Sequence, residues 1–120
     1  MRVHHIAIQV RDLERARSFY VDVLGLPEVR RQPQSVWLDA EGTLLMLEKC
    51  DDTEGPAPWR SPRAALHLLA LAIGASEREA WRARLQAAGA PLEGETAFTL
   101  YTRDPDGTRI GLSSYPALPA

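Results

Sequence analysis

The feature that most limits what this chain can fold into is that its pattern of elements occurs twice within 120 residues. His5-Ile6-Ala7-Ile8-Gln9-Val10 is short, apolar and rich in β-branched residues, and predicts a strand. Asp12 offers an N-cap, Glu14 suits a first helical turn, and Leu13, Ala16, Tyr20, Val23 and Leu24 recur at helical spacing. Gly25 and Pro27 end that helix. Strands are then expected at Glu28–Arg31, Val36–Asp39 and Thr43–Lys49, the last two joined by the turn Asp39-Ala40-Glu41-Gly42. After Asp51 to Pro62, a linker rich in proline and acid, the order returns. A strand is expected over Leu66–Ile73. A helix follows, opened by a capping box of Ser76 and Glu79, apolar at Trp81, Leu85 and Ala88, and closed by Gly89 and Pro91. Three strands near Leu92–Glu95, Phe98–Arg103 and Thr108–Ser114 complete it, with Asp104-Pro105-Asp106-Gly107 as the last turn. His5 and His67, Gly25 and Gly89, and Gly42 and Gly107 recur at nearly constant offset, the mark of an internal duplication. The expected class is α+β: module one over 1–50, linker 51–62, module two over 63–118, together one domain of 1–120.

Composition excludes other classes. Fourteen basic against sixteen acidic side chains give a net charge of -2, without the basic excess of a sequence-independent nucleic-acid binder. No apolar run approaches the ~20 residues that span a bilayer, so no membrane partner is expected. The lone Cys50 excludes an intramolecular disulfide and suits a reducing compartment. The first residues run straight into a strand pattern with no visible signal peptide, so the expected location is the cytoplasm.

The run from His5 to Leu26, His-Ile-Ala-Ile-Gln-Val-Arg-Asp-Leu-Glu-Arg-Ala-Arg-Ser-Phe-Tyr-Val-Asp-Val-Leu-Gly-Leu, closely resembles the opening of vicinal oxygen chelate proteins. These include glyoxalase I, extradiol dioxygenases, and fosfomycin- and bleomycin-resistance proteins. Arg103-Asp104-Pro105-Asp106-Gly107-Thr108-Arg109-Ile110, continuing to Tyr115-Pro116, resembles their closing hairpin. The resemblance implies two βαβββ modules forming a curved eight-stranded mixed sheet around a cavity. It implies a homodimer and a small-molecule ligand. It does not imply one reaction, because the fold hosts many.

Metal-dependent members of that family place one ligand in the first strand and one in the fourth strand of each module. Carried onto this chain, the first-strand positions are His5 and His67 and the fourth-strand positions are Met46 and Gly111. A catalytic ion needs about three protein donors with positions left open. Two imidazoles remain here. Gly111 has no side chain, and the Met46 thioether suits hard or borderline ions poorly. Glu48, on the face of Met46, could complete the shell only by leaning back about 6.6 Å along its strand; a partner residue could also do so. The favoured expectation is a small-molecule-binding protein with no cofactor and an incomplete metal site. The alternative is a glyoxalase-like lyase or isomerase, or a dioxygenase, holding Zn, Ni, Mn or Fe on His5, His67 and Glu48. Met46 and Gly111 then line the pocket, with Trp37, Tyr101 and Ser113 as further lining candidates. Trp59 in the linker is a candidate lid or interface residue. His4, alternating with His5, is expected to face solvent.

Overall fold

The computed structural model describes residues 1–53, 55–56, 58–59 and 63–118. The chain divides into two compact units, Met1–Gly55 and Pro56–Ala120. Each carries a four-stranded mixed sheet.

In the first unit, strand β1 (His5–Val10) leads into helix α1 (Leu13–Arg17), and strands β2 (Glu28–Gln32), β3 (Ser35–Ala40) and β4 (Thr43–Lys49) follow. The strand order is β1-β4-β3-β2, with β1 parallel to β4 and the other neighbours antiparallel. Asp12 caps α1, its carboxylate accepting from Arg15 N at 3.0 Å. The sequence predicts one continuous helix to Leu24. Instead α1 widens after Arg17 into a π-helical turn over Ser18–Val23. Phe19 and Tyr20, adjacent in this turn, are both buried. Gly25, at φ +83°, ends it. Alternation puts Ile8, Val10, Val36, Leu38, Leu45 and Leu47 on one face of the sheet, all buried, and α1 packs over β3 and β4. The opposite face carries His5, Ala7, Trp37, Asp39, Leu44, Met46 and Glu48. The β3–β4 turn has φ +52° at Glu41 and +101° at Gly42, the paired positive values of a two-residue turn matched to strand twist.

The second unit contains strand β5 (Leu69–Ala72), helix α2 (Arg78–Ala87) and strands β6 (Gly94–Glu95), β7 (Thr99–Arg103) and β8 (Arg109–Ser113) in the order β5-β8-β7-β6. The helix entry differs from expectation. A 3₁₀ turn over Ala75–Glu77 precedes α2, and Glu77 Oε1 accepts from Gly74 N at 2.6 Å. Glu77, three residues after Gly74, therefore does what Glu79 was expected to do for Ser76, and Glu79 pairs with Arg82 at 3.0 Å. Arg78, only 9% exposed, ties α2 to β6 through Glu95 Oε2 at 2.7 Å and Thr96 O at 2.5 Å. The predicted β5 begins too early: pairing starts at Leu69↔Ile110, so His67 lies outside the strand. Arg109 takes the carbonyls of His67 and Pro58 with its guanidinium, which holds this stretch as a strap instead of a ladder rung. The last turn is locked by Asp104, 4% exposed, whose Oδ1 accepts from Asp106 N at 2.9 Å and Thr108 N at 2.8 Å.

Candidate functional site

The two units carry corresponding rows of side chains on their open faces, and register identifies the counterparts. In the first unit Met46 pairs with Ala7 on one side and Trp37 on the other. In the second, Gly111 pairs with Ala70 and Tyr101. Trp37 and Tyr101 therefore hold matching positions. His5 stands two residues before Ala7; the residue two before Ala70 is Leu68, whose Cδ1 lies 3.6 Å from where a Cβ on Gly111 would sit. By register the counterpart of His5 is Leu68, one residue from the histidine that a constant sequence offset selects.

The structure places the candidate residues as follows. The His5 ring lies 5.1 Å from that of Trp37, tilted by 55°. Met46 is half-buried between their strands. Glu48 pairs with Gln9 and Ser35, four residues along β1 from His5. That is about 13 Å at the usual strand rise, beyond sharing an ion. Ser113 is engaged: Thr99 Oγ1 donates to its hydroxyl at 2.9 Å and Tyr115 N at 3.2 Å. His67 is exposed, and its ring meets Trp59 edge-on at 5.8 Å. Trp59 also packs at 5.5 Å on Tyr101 and lies beneath the guanidinium carbons of Arg103 and Arg109, at 5.4 and 6.0 Å. It thus covers the aromatic of the second sheet with a side chain of its own unit. Of the linker acids, Glu54 falls outside the described residues, while Asp52 pairs with Arg11 at 3.0 Å.

The donor chemistry can be tested directly. At the four positions where a metal-binding relative would place ligands, register gives one imidazole and one thioether in the first unit, and a leucine and a glycine in the second. Among the described residues no group of three His, Cys, Asp or Glu is arranged to hold a metal ion. This donor set does not fit a catalytic ion.

What the first sheet does hold is a pocket of about 360 Å³ lined by His4, Val29, Arg30, Trp37 and Leu44. Of these five, only Trp37 was a pocket-lining candidate from sequence. Leu44 was within reach, because it alternates with Met46. His4 was expected to face outward. It is exposed, and its ring also turns against His5, with the two Nδ1 atoms 2.9 Å apart and one donating to the other. Arg30 pairs with Trp37, but a register irregularity between Glu28 and Arg30 breaks the simple alternation of β2 that would have shown its face. Trp37 Nε1 donates to Gln32 Oε1 at 3.4 Å, which orients the indole.

The sequence profile described as Glyoxalase/Bleomycin resistance protein/Dioxygenase superfamily matches residues 2–112. A curated relative, a probable lactoylglutathione lyase of Vibrio cholerae, is 27% identical over 128 aligned positions, covering 92% of this chain and 88% of that protein. The crystal structure of a lactoylglutathione lyase from Agrobacterium tumefaciens superposes with a TM-score of 0.69 at 25% identity, covering 93% of this chain and 92% of the other. A fosfomycin resistance protein from Listeria monocytogenes shares the fold alone, with a TM-score of 0.77 at 17% identity over 94% and 92% of the two chains. With the tandem βαβββ order and a profile match over nearly its full length, the chain belongs to the glyoxalase/bleomycin resistance protein/dioxygenase superfamily.

Proposed function

We propose that this chain is a metal-independent small-molecule-binding member of its superfamily, with the ligand seated on the open face of the first sheet. The observation that carries this reading is the pocket of about 360 Å³ built against Trp37, within the size range of small-ligand sites. The replacement of donors by Met46, Leu68 and Gly111 supports it. Metal content measured on untagged protein, native and His5→Ala, tests it. The expected result is substoichiometric metal in both after incubation with zinc, nickel, manganese and ferrous ions. One equivalent in the native protein, lost in the variant, overturns it.

A second reading rests on the curated relative: a lactoylglutathione-lyase-like activity in which a metal is held by His5 together with residues supplied by a partner chain. Lactoylglutathione formation from methylglyoxal and glutathione, assayed with each of the four ions, separates the two. Metal-dependent turnover favours the enzyme, and its absence favours the binding protein. We further propose a cytoplasmic homodimer, as the resemblance implies. Among the described residues no helix is long and apolar enough to cross a membrane. Sedimentation equilibrium giving twice the mass of 13.3 kDa is the expected result.

A further inference from the structure

The pocket on the first sheet contains an arginine whose isolation is informative. Arg11, Arg17, Arg31, Arg78, Arg82 and Arg103 each meet a carboxylate. Arg2 and Arg109 donate to backbone carbonyls. Arg15, Arg63 and Arg84 have other interactions. Among the described residues, Arg30 alone of the arginines engages no partner through its side chain, and it lines the pocket. It stands opposite Trp37 in the β2–β3 ladder. Leu44 and Val29 supply apolar wall, and His4 brings a second nitrogen-bearing group to the same cavity. Asp39 pairs with Leu44 on this face but makes no ion pair with Arg30. Glu48 is four residues further along β4.

An indole face, fixed by Gln32 and backed by His5, suits a flat conjugated ring system. A free guanidinium at its edge presents a planar fork of donors that matches a carboxylate in two parallel hydrogen bonds. We propose that this pocket selects a planar organic carboxylate, its ring against Trp37 and its carboxylate on Arg30, with His4 as a second donor. The proposal rests on the reading of the first sheet as the ligand site and names the chemical class that site takes.

The test uses three probes of one shape: 2-naphthoate, its neutral amide 2-naphthamide, and the cationic 2-naphthylmethylamine. Each is titrated calorimetrically into the native protein and into Arg30→Met, with backbone amide NMR shifts to locate binding. The expected result is a carboxylate affinity at least tenfold above the amide, with the amine weakest. Arg30→Met brings the carboxylate down to the amide's level and leaves the amide within twofold. Raising sodium chloride from 50 to 300 mM weakens the carboxylate alone. Equal binding of carboxylate and amide to the native protein, or a preference that survives Arg30→Met, overturns the carboxylate proposal. In that case amide binding that shifts Trp37 and Leu44 leaves the pocket reading standing. If none of the probes shifts those residues at millimolar concentration, both are overturned. Arg30→Lys guards against a trivial loss of shape: it retains a charge preference, but a smaller one, because an ammonium cannot supply the fork.

Discussion

The family resemblance makes Gly111 the position at which a carboxylate would have to be restored to rebuild a metal site, and the packing around it predicts that the repair fails. A Cβ there would lie 3.3 Å from Thr99 Cγ2, 3.6 Å from Ala70 Cβ and 3.6 Å from Leu68 Cδ1. Only the first contact is tight, and the backbone is not left-handed. Gly111→Ala therefore gains about 0.4–1 kcal/mol by restricting the unfolded chain, offset by a small shift of the Thr99 methyl. The net is expected within about 1 kcal/mol of native. Gly111→Glu differs because its carboxylate leaves a buried Cβ ringed by methyl groups. If desolvation raises its pKa by about 2 units, the folded state loses about 2.7 kcal/mol at pH 7. A raised carboxyl pKa penalises folding where the unfolded chain is ionised, so the penalty shrinks as pH falls toward 4. Urea denaturation of both variants at pH 7 and pH 5, with and without 1 mM zinc or nickel, is the assay. A site with a dissociation constant tenfold below that concentration would add about 1.4 kcal/mol. No such gain is expected. A Gly111→Glu protein as stable as Gly111→Ala at pH 7, or one that metal stabilises by that amount, would refute the reasoning.

Three further outcomes are expected. Glu41 holds φ +52° in the β3–β4 turn, a conformation asparagine tolerates better, so Glu41→Asn should stabilise the protein by about 0.5–1 kcal/mol in thermal melting. Asp104→Ala removes the buried acceptor of two backbone N–H groups and should cost about 2–4 kcal/mol in urea denaturation, with Asp104→Asn recovering part. Glu95 is held by Arg82 and Arg78 at about 2, well below its ordinary 4.5. A depressed carboxyl pKa contributes stability that is complete above about pH 4.5 and is lost as pH falls toward 2. Glu95→Gln should therefore melt below native at pH 7, and the gap should close between pH 4.5 and 2.

The clearest elements in the sequence were those with both a period and a stop. β1 and β4 begin and end where alternation and turns put them, because one face of each is buried and a slip by one residue would expose it. Where a local competitor exists, pattern misleads. The expected strand over Leu66–Ile73 loses its first residues to the guanidinium of Arg109, forty-two positions away in sequence, and no window along the chain contains that contact. The duplication misled more subtly. An offset of 62 between His5 and His67 looks like an offset of 63, yet in a strand one residue changes the face. That Arg30 and the exposed His4 line the pocket was hidden for a related reason. One sits beyond a register irregularity and the other just outside β1, where alternation no longer governs direction.

The difference between the two units lies as much in the linker as in the strands. Both keep an aromatic at the matching register position, but Tyr101 is already packed by Trp59. Trp59 follows Pro58, whose carbonyl is bound by Arg109. Pro56, further back, lies where a Cβ on Gly107 would collide with it at 2.4 Å, so the strap and that turn are fitted to each other. A tethered side chain competes at an effective concentration in the millimolar range, before any gain from its cation–π contacts. A ligand for Tyr101 must displace it, and its apparent affinity falls by the fraction of time Trp59 is away. Trp37 has His5 at its side and a cavity before it, and the second unit has Gly94 opposite Tyr101 where the first has Arg30 opposite Trp37. Duplication thus supplied two platforms. Arg103 and Arg109 are already engaged over Trp59 at the covered platform, whereas Arg30 stands unpartnered opposite the uncovered one, and this asymmetry supports the proposal that the ligand sits on the first sheet.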